Sequence, residues 1–311
     1  MALTLIEAAK RAAAGGEVIR SAVIEMFAKG SDLLRVLPFD DIAGNALRYN
    51  LEEQLPGVAF RGVNEAYSES TGIINPKVDV LALAGGDLDV DIFIIKTMGA
   101  DQRSAQEALK IKALAQAVSR VLIKGDSEVD PREFDGLQKR IVGSQLLDAG
   151  ATAGGDALSL AQLDAAIDAV PGATHLHMNK ALRRRLTAAA RNPNVSGYIN
   201  YTKDEFGRRV TTYNDLPILV PYEDNGGTEY LAFDEANPGG GANVGTSIYV
   251  MAMAPGMVQG IQSGTMEARD LGEQNSKPVM RTRVEWYPGL TVQHGRAAAR
   301  LRGIKDAAVV A

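Results

Sequence analysis

The chain has 311 residues, 46% of them apolar and 23% charged, the composition of a globular protein with one large or two modest domains rather than a disordered one. Its net charge of −5 argues against a sequence-independent nucleic-acid binder, which needs clustered cations, and 5% aromatic residues argue against a stacking platform for single strands. Cysteine is absent, which excludes disulfides, thiolate catalysis and Cys-based metal sites and fits a reducing compartment. The opening MALTLIEAAKR carries Glu7 in its apolar stretch with no basic residue before it, unlike a signal peptide. The longest apolar run, Ile248 to Val258, is broken by Pro255 and Gly256 and falls short of the ~18 residues of a membrane span. A soluble protein is expected.

Thr4 and Glu7 form a capping-box pattern, and Gly15-Gly16 stops the helix it starts. A second helical stretch, Glu17 to Ala28, ends at Gly30. Two such short helices are too small to bury a core of their own. Ile42–Tyr49 and Val58–Tyr67 then read as extended strands joined by LEEQLPG, a hairpin with a broad tip. Its faces are mixed, with Asn45 and Tyr49 beside Leu47 and Asn64 beside Phe60. A ribbon without a clean apolar face is marginal alone, so it must lie against another part of this chain or another chain.

Asp101 is a good N-cap for the longest helix, in which Ala108, Ile111, Ala115, Val118 and Leu122 recur at helical spacing before Gly125. At 1.5 Å per residue this helix runs roughly 36 Å, a spine along one side of a domain. From Phe134 onward short strands and helices mix. Ser159 and Gln162 suggest a second capping box, with Leu160, Leu163, Ile167 and Val170 as its stripe and Pro171-Gly172 as its stop. THLHMN reads as a strand leading into a helix capped by Asn179 and stopped near Asn192-Pro193. Val210–Tyr213 and Ile218–Pro221 read as extended, followed by a loop-rich region from Glu223 to Asn243. Ser247–Met253, Met257–Gln262 and Val279–Gln293 read as strands. No repeat is visible and strands do not alternate strictly with helices, which favours α+β.

The candidate chemistry is thin. Asp87, Asp89 and Asp91 alternate in GGDLDVD, but a calcium loop would need Gly where Ile92 stands and Glu where Met98 stands. They read instead as a polar strand end with Asp89 or Asp91 capping the next helix. His175 and His177 share a strand face at a spacing compatible with zinc, yet His294 is remote and no acid completes a set. A structural role is the better reading. Gly240 and Gly245 have P-loop spacing, but Thr246 and Ser247 follow in place of the phosphate-binding Lys, so PGGGANVG reads as a mobile surface loop. No GxSxG elbow occurs. A carboxylate pair distant in sequence stays open. Arg183, Arg184 and Arg185 point three ways on a helix and read as a solvated or subunit-facing surface. No catalytic residue, cofactor or metal is expected. What stands out is an N-terminal arm, an unsupported hairpin and a spine helix, parts that suit an assembly subunit.

Those parts also carry a family resemblance. LPFDDIAGNALRYN, LPGVAFRGVNEAYSESTGIINP, GGDLDVDIFI, REFDGLQKRIVGSQ, HMNKALRRRLTAAAR and KPVMRTRVEWYPGLTVQHGRAAARLRGIKDA, in this order, resemble the major capsid proteins of tailed bacteriophages over nearly the whole chain. The resemblance implies an α+β, HK-ninety-seven-type coat fold. Residues 1–36 would be the N-arm, 37–76 the E-loop, and 77–131 with 276–311 the peripheral (P) domain carrying spine helix 101–124. Residues 132–275 would form the axial (A) domain. It further implies a non-enzymatic subunit that forms pentamers and hexamers in an icosahedral shell around double-stranded DNA. The subunit would be assembled in the host cytoplasm with a scaffolding protein, a portal and a possible decoration protein, away from any membrane. Net acidity would keep such a container from gluing down its cargo. Two departures from the family stand out. No Lys lies between Lys29 and Lys77, so the hairpin lacks the cross-linking nucleophile of some members, and the arm starts at Met1 without the long scaffolding segment that some members cleave off, which leaves either a separate scaffolding protein or a processed or truncated chain. Arg48, Tyr49, Phe60, Arg61 and Tyr67 are the expected assembly contacts of the hairpin. An encapsulin-like cargo compartment and an α+β enzyme are the competing readings.

Overall fold

The computed structural model describes residues 2–54, 56–99, 101–191, 199–203, 207, 209–222 and 229–310. Three helices open the chain: α1 (Leu5–Ala14), α2 (Val18–Gly30) and α3 (Asp32–Val36). The Thr4 hydroxyl accepts from the Glu7 amide at 3.3 Å and the Glu7 carboxylate accepts from the Thr4 amide at 2.9 Å, so the capping box forms as read. These helices are not an arm in want of a partner. Leu5, Ile24, Phe27 and Leu34 are fully buried in the main core, against the spine helix. Gly30 makes this possible, because a Cβ there would stand 2.9 Å from the Ala115 methyl.

Next come β1 (Phe39–Asp41), β2 (Ala46–Gln54), β3 (Ile73–Val80), β4 (Ala84–Asp91), α4 (Ile92–Met98) and α5 (Asp101–Lys124). The hairpin differs from the sequence reading. β2 runs through Leu51–Gln54 and pairs antiparallel with β3, while 58–67 forms no strand. LEEQ is strand rather than turn, and the ribbon ends at Val80 rather than at Pro76. Pro76 lies within β3, opposite Asn50. In a two-stranded ribbon each strand has one open edge, where a missing N–H costs nothing. Asp91, not Asp89, caps α4, accepting from the Phe93 amide at 2.7 Å. Asp101 is the first residue of α5, so the capping position falls at residue 100, outside the described residues. Ile111, Ala115, Val118 and Leu122 are buried as the stripe requires, and Ala108 is half-buried.

The remainder comprises α6 (Leu137–Arg140), β5 (Leu146–Asp148), α7 (Leu160–Asp168), β6 (His175–His177), α8 (Lys180–Ala189), β7 (Ile199–Lys203), β8 (Arg209–Tyr213), β9 (Leu216–Leu219), β10 (Thr246–Met251), β11 (Val258–Gln262), β12 (Glu267–Glu273), β13 (Val279–Trp286), β14 (Pro288–Val292) and β15 (Ala298–Ile304). Seven strands form one sheet in the order β5-β15-β10-β6-β9-β8-β7. Every residue of its interior strand β10 is buried, and α7 and α8 add Leu163, Leu182 and Leu186 to its core. A second sheet, β12-β13-β4, belongs with α5, and a third, β1-β11-β14, closes the main core. Trp286 sits at the centre of that core, 5.7 Å from the Phe27 ring and 5.2 Å from the Phe39 ring, with its indole N–H donating to Gln262. The single strand read over Val279–Gln293 is thus two, and residues 276–311 are shared among all three of these sheets.

Several local readings change. Gln162 donates to the Ala149 carbonyl rather than closing a box with Ser159. PGGGANVG is held rather than mobile: Asn237 is buried and donates to Ala242, and the Gly154 amide donates to Gly240. The stop near Asn192-Pro193 and residues 223–228 of the loop lie outside the described residues. Arg185 pairs with Asp306 at 2.8 Å. A buried ionic cluster ties the elements together. Arg300 of β15 donates to Glu235 at 2.8 Å and to the Ser247 hydroxyl at 2.9 Å, and Lys124 of the spine reaches Glu235 at 3.6 Å.

His177 is fully buried, with Nδ1 at 3.2 Å from the Leu219 carbonyl and Nε2 at 2.8 Å from the Tyr230 hydroxyl. A carbonyl only accepts, so Nδ1 carries the proton and Nε2 accepts from Tyr230. Burial pushes its pKa from 6.5 down to about 4. The neutral ring's contribution is complete above pH 6.5 and is lost as pH falls toward 4, about 3 kcal/mol across the window. Melting temperature measured from pH 7 to pH 4 should therefore fall less steeply in His177→Gln than in the parent. Leu122→Ala should cost about 2–5 kcal/mol in denaturant unfolding. Glu235→Ala, which strands Arg300, should cost about 3–5 kcal/mol, and adding Arg300→Met should recover part of that loss.

Candidate assembly surface

The β2–β3 ribbon projects roughly 27–30 Å at 3.3–3.4 Å per residue. Its base is fixed in register from Ala46 opposite Val80. The Leu81 amide donates to Asn45 at 3.0 Å and the Ala82 amide to Pro288 at 2.9 Å. Arg140 of α6 pairs with the buried Asp79 at 2.8 Å. The Tyr49 hydroxyl donates to the Val292 carbonyl at 3.1 Å. Burial, and then the nearby Asp79 carboxylate, push the Tyr49 pKa up. Tyr49 therefore joins the ribbon to its own chain. Arg48 is exposed on β2 opposite Val78, close to the same base. Lys77 lies opposite Tyr49, so the ribbon does carry one lysine, near its root.

The tip is different. Beyond the ribbon, Val58 is 89% exposed, Phe60 fully exposed, Val63 92% and Tyr67 69%. Four large apolar side chains in one short segment with no cover in this chain form a surface in search of a partner. Polar contacts shape the loop locally. The Gly57 amide donates to Ser70, the Gly62 amide to the Glu65 carboxylate, and Arg61 to the Glu65 carbonyl. The Arg61 guanidinium also lies 5.0 Å from the Tyr67 ring centre, a cation–π contact. The tip thus brings Arg61 and Tyr67 together beside the exposed Phe60, while Arg48 and Tyr49 lie some six residues, about 20 Å, back along the ribbon.

A second uncovered apolar surface escaped the sequence reading. No residue of α4 is buried, although it reads IFIIKTM, and Phe93 and Met98 are 71% and 67% exposed. The signal was the IFII run directly after GGDLDVD, which helical spacing alone would have sent to the core. The neighbouring acids are accounted for. Asp87 accepts from Arg283 and Asp89 from Arg281, each at 2.6 Å, and these hydrogen bonds hold both carboxyls below the usual range. Among the described residues no group of three His, Cys, Asp or Glu is placed to hold a metal, and no helix is long and apolar enough to cross a membrane.

No family model matches the sequence, and no curated protein matches it. Solved structures do match. The chain resembles the holo-SrpI encapsulin complex from Synechococcus elongatus PCC 7942 with a TM-score of 0.63 and 18% identity, over 88% of this chain and 87% of that one. It resembles the capsid of a native GTA particle at 0.62 and 15%, over 88% and 90%, and the chain of Mycobacterium phage Adephagia at 0.62 and 10%, over 89% and 91%. The fold is therefore the α+β coat fold of HK-ninety-seven type. The anchor at the ribbon base can be tested within one chain. Asp79→Ala should strand Arg140, lower stability by about 3–5 kcal/mol and speed amide exchange at 46–51 and 74–80.

Proposed function

We propose that this chain is the major coat subunit of a closed icosahedral shell, built as pentamers and hexamers, that encloses double-stranded DNA in a virion. The observation that carries the reading is the hairpin tip: Val58, Phe60, Val63 and Tyr67 stand in solvent at the end of a firmly anchored ribbon. Apolar side chains held away from their own core gain stability only when another surface covers them, at about 25 cal/mol per Å² of area buried. Many copies, each covering the next, close a symmetric surface. Likeness over about nine-tenths of both chains to capsid and encapsulin subunits supports the same reading.

On this reading the β2–β3 ribbon with its tip is the E-loop, running to Val80. The spine helix with β4, β12 and β13 is the core of the peripheral domain. The seven-stranded sheet with α7 and α8 lies in the axial domain, which β15 completes from the end of the chain. The N-terminal helices are the arm, docked against their own spine. Copies of the chain are the principal partner. A scaffolding protein, a portal and a decoration protein are further expected partners, and assembly takes place in the host cytoplasm. The second reading, a cargo compartment, draws on the encapsulin match. Packaged DNA in purified particles favours the first; a bound cargo protein without DNA favours the second.

The test separates folding from assembly. Phe60→Ser with Tyr67→Ser touches no core residue and should leave unfolding stability within about 0.5 kcal/mol. Negative-stain imaging of the parent, with its scaffold co-expressed, should show closed shells, and the double variant should show unassembled or aberrant subunits. Normal shells from the variant would remove the tip from the interface, and only small oligomers from the parent would remove the shell.

A further inference from the structure

Residues 180–191, α8 and its C-terminal turn, hold five cations, Lys180, Arg183, Arg184, Arg185 and Arg191, and no acid, in a chain whose net charge is −5. At about 100° per residue Arg184 and Arg191 fall on one line of the helix, opposite the buried Leu182 and Leu186, and Arg183 flanks that line. Ala190 keeps helical angles (φ −61°, ψ −15°), so Arg191 stays on the line past the last turn. Arg184 and Arg191 are exposed and Arg183 is half-buried. Arg185 lies on the other flank and pairs with Asp306 at 2.8 Å. Lys180 has a partner of its own and is not counted. Among the described residues no carboxylate pairs with Arg183, Arg184 or Arg191.

The fold does not need this arrangement. Cations near a helix N-terminus oppose its dipole, and Lys180 and Arg184 are like charges four residues apart, so the segment repels itself. Leu182, Leu186 and the Asn179 cap hold α8 in place instead. The repulsion is relieved when a polyanion lies along the helix. From Arg183 to Arg191 the arginines span about 12 Å, too far to share one small anion, and over that length a DNA duplex presents about seven phosphates. A guanidinium takes a phosphate through two parallel hydrogen bonds, whatever the base sequence. Ala188 is the one apolar residue exposed on α8, so the face does not suit a membrane surface. We propose that the outer face of α8 binds the phosphate backbone of duplex DNA through Arg183, Arg184 and Arg191. The choice of DNA as the polyanion rests on the shell reading. Three phosphate contacts on an acidic chain make weak, salt-sensitive binding, which steadies packaged DNA against the coat without fixing it there.

Fluorescence anisotropy of a labelled duplex of about 30 base pairs, titrated with the purified full chain, tests this. Affinity should fall about 40-fold between about 50 and about 200 mM salt, the log–log slope of about −2.7 that three phosphate contacts give. Arg183→Gln, Arg184→Gln and Arg191→Gln should each make that slope shallower by about 0.9, while Arg132→Gln, outside α8, leaves it unchanged. Arg184 and Arg191 are exposed, so their variants keep the test valid if Arg183→Gln fails to fold. No binding at about 50 mM salt, or a parent-like slope in the double variant Arg184→Gln/Arg191→Gln, would overturn the proposal. Tighter binding of labelled polyglutamate than of the duplex would overturn it too, by assigning the face to an acidic protein. Negative-stain imaging of the parent judges the shell reading separately: closed shells from a chain that does not bind DNA would leave that reading standing and remove this one.

Discussion

The structure depends on how one helix is covered. The stripe of α5, Ile111 to Leu122, is too long and too apolar to face water, and no single element is wide enough to hide it. α2 covers one side, at a crossing where Gly30 meets Ala115, and β4 and β13 lie on another. Once α5 is sealed this way, the N-terminal helices must stay on their own chain. Leu5, Ile24, Phe27 and Leu34 are then committed to the same core as Trp286. The segment with the least sequence evidence of a partner is thereby among the most firmly held.

Charge organises what apolar packing leaves loose. Glu235, Arg300, Ser247 and Lys124 join a loop, two neighbouring strands and the end of the spine. Asp79 and Arg140 do the same at the root of the ribbon. Buried pairs of this kind add little net stability over apolar residues of equal size, because desolvation offsets the attraction. Their effect is on geometry, since each charge tolerates few alternative positions. They set the direction in which the ribbon leaves the body and the place where the seven-stranded sheet meets the spine.

The hairpin shows how a correct idea takes wrong bounds from sequence. Two strands and a broad tip were legible, and so was the lack of a covered face. The partner strand was placed at 58–67, where Val58–Tyr67 reads as extended after the LEEQLPG turn. Tertiary structure changes both bounds. An open ribbon edge accepts a proline, and the apolar residues of 58–67 serve the tip instead of a strand. At the ribbon root the Tyr49 hydroxyl finds a carbonyl 243 residues away, a contact that no local pattern encodes.

By itself the sequence determined what local physics controls. The capping box of Thr4 and Glu7, the spine and its stripe, the Asn179 cap and the α+β class all depend on residues within a few positions of one another. The missing lysine and glycines likewise spoiled the nucleotide and calcium patterns before any fold was known. Only tertiary structure decided which strands neighbour which. β15 lies between β5 and β10, and β13 lies against β4, across separations that no periodicity encodes. It also decided which apolar residues remain outside. Phe93 and Met98 of α4 stay exposed although their helix is apolar, and exposure is a property of what surrounds a side chain rather than of the side chain.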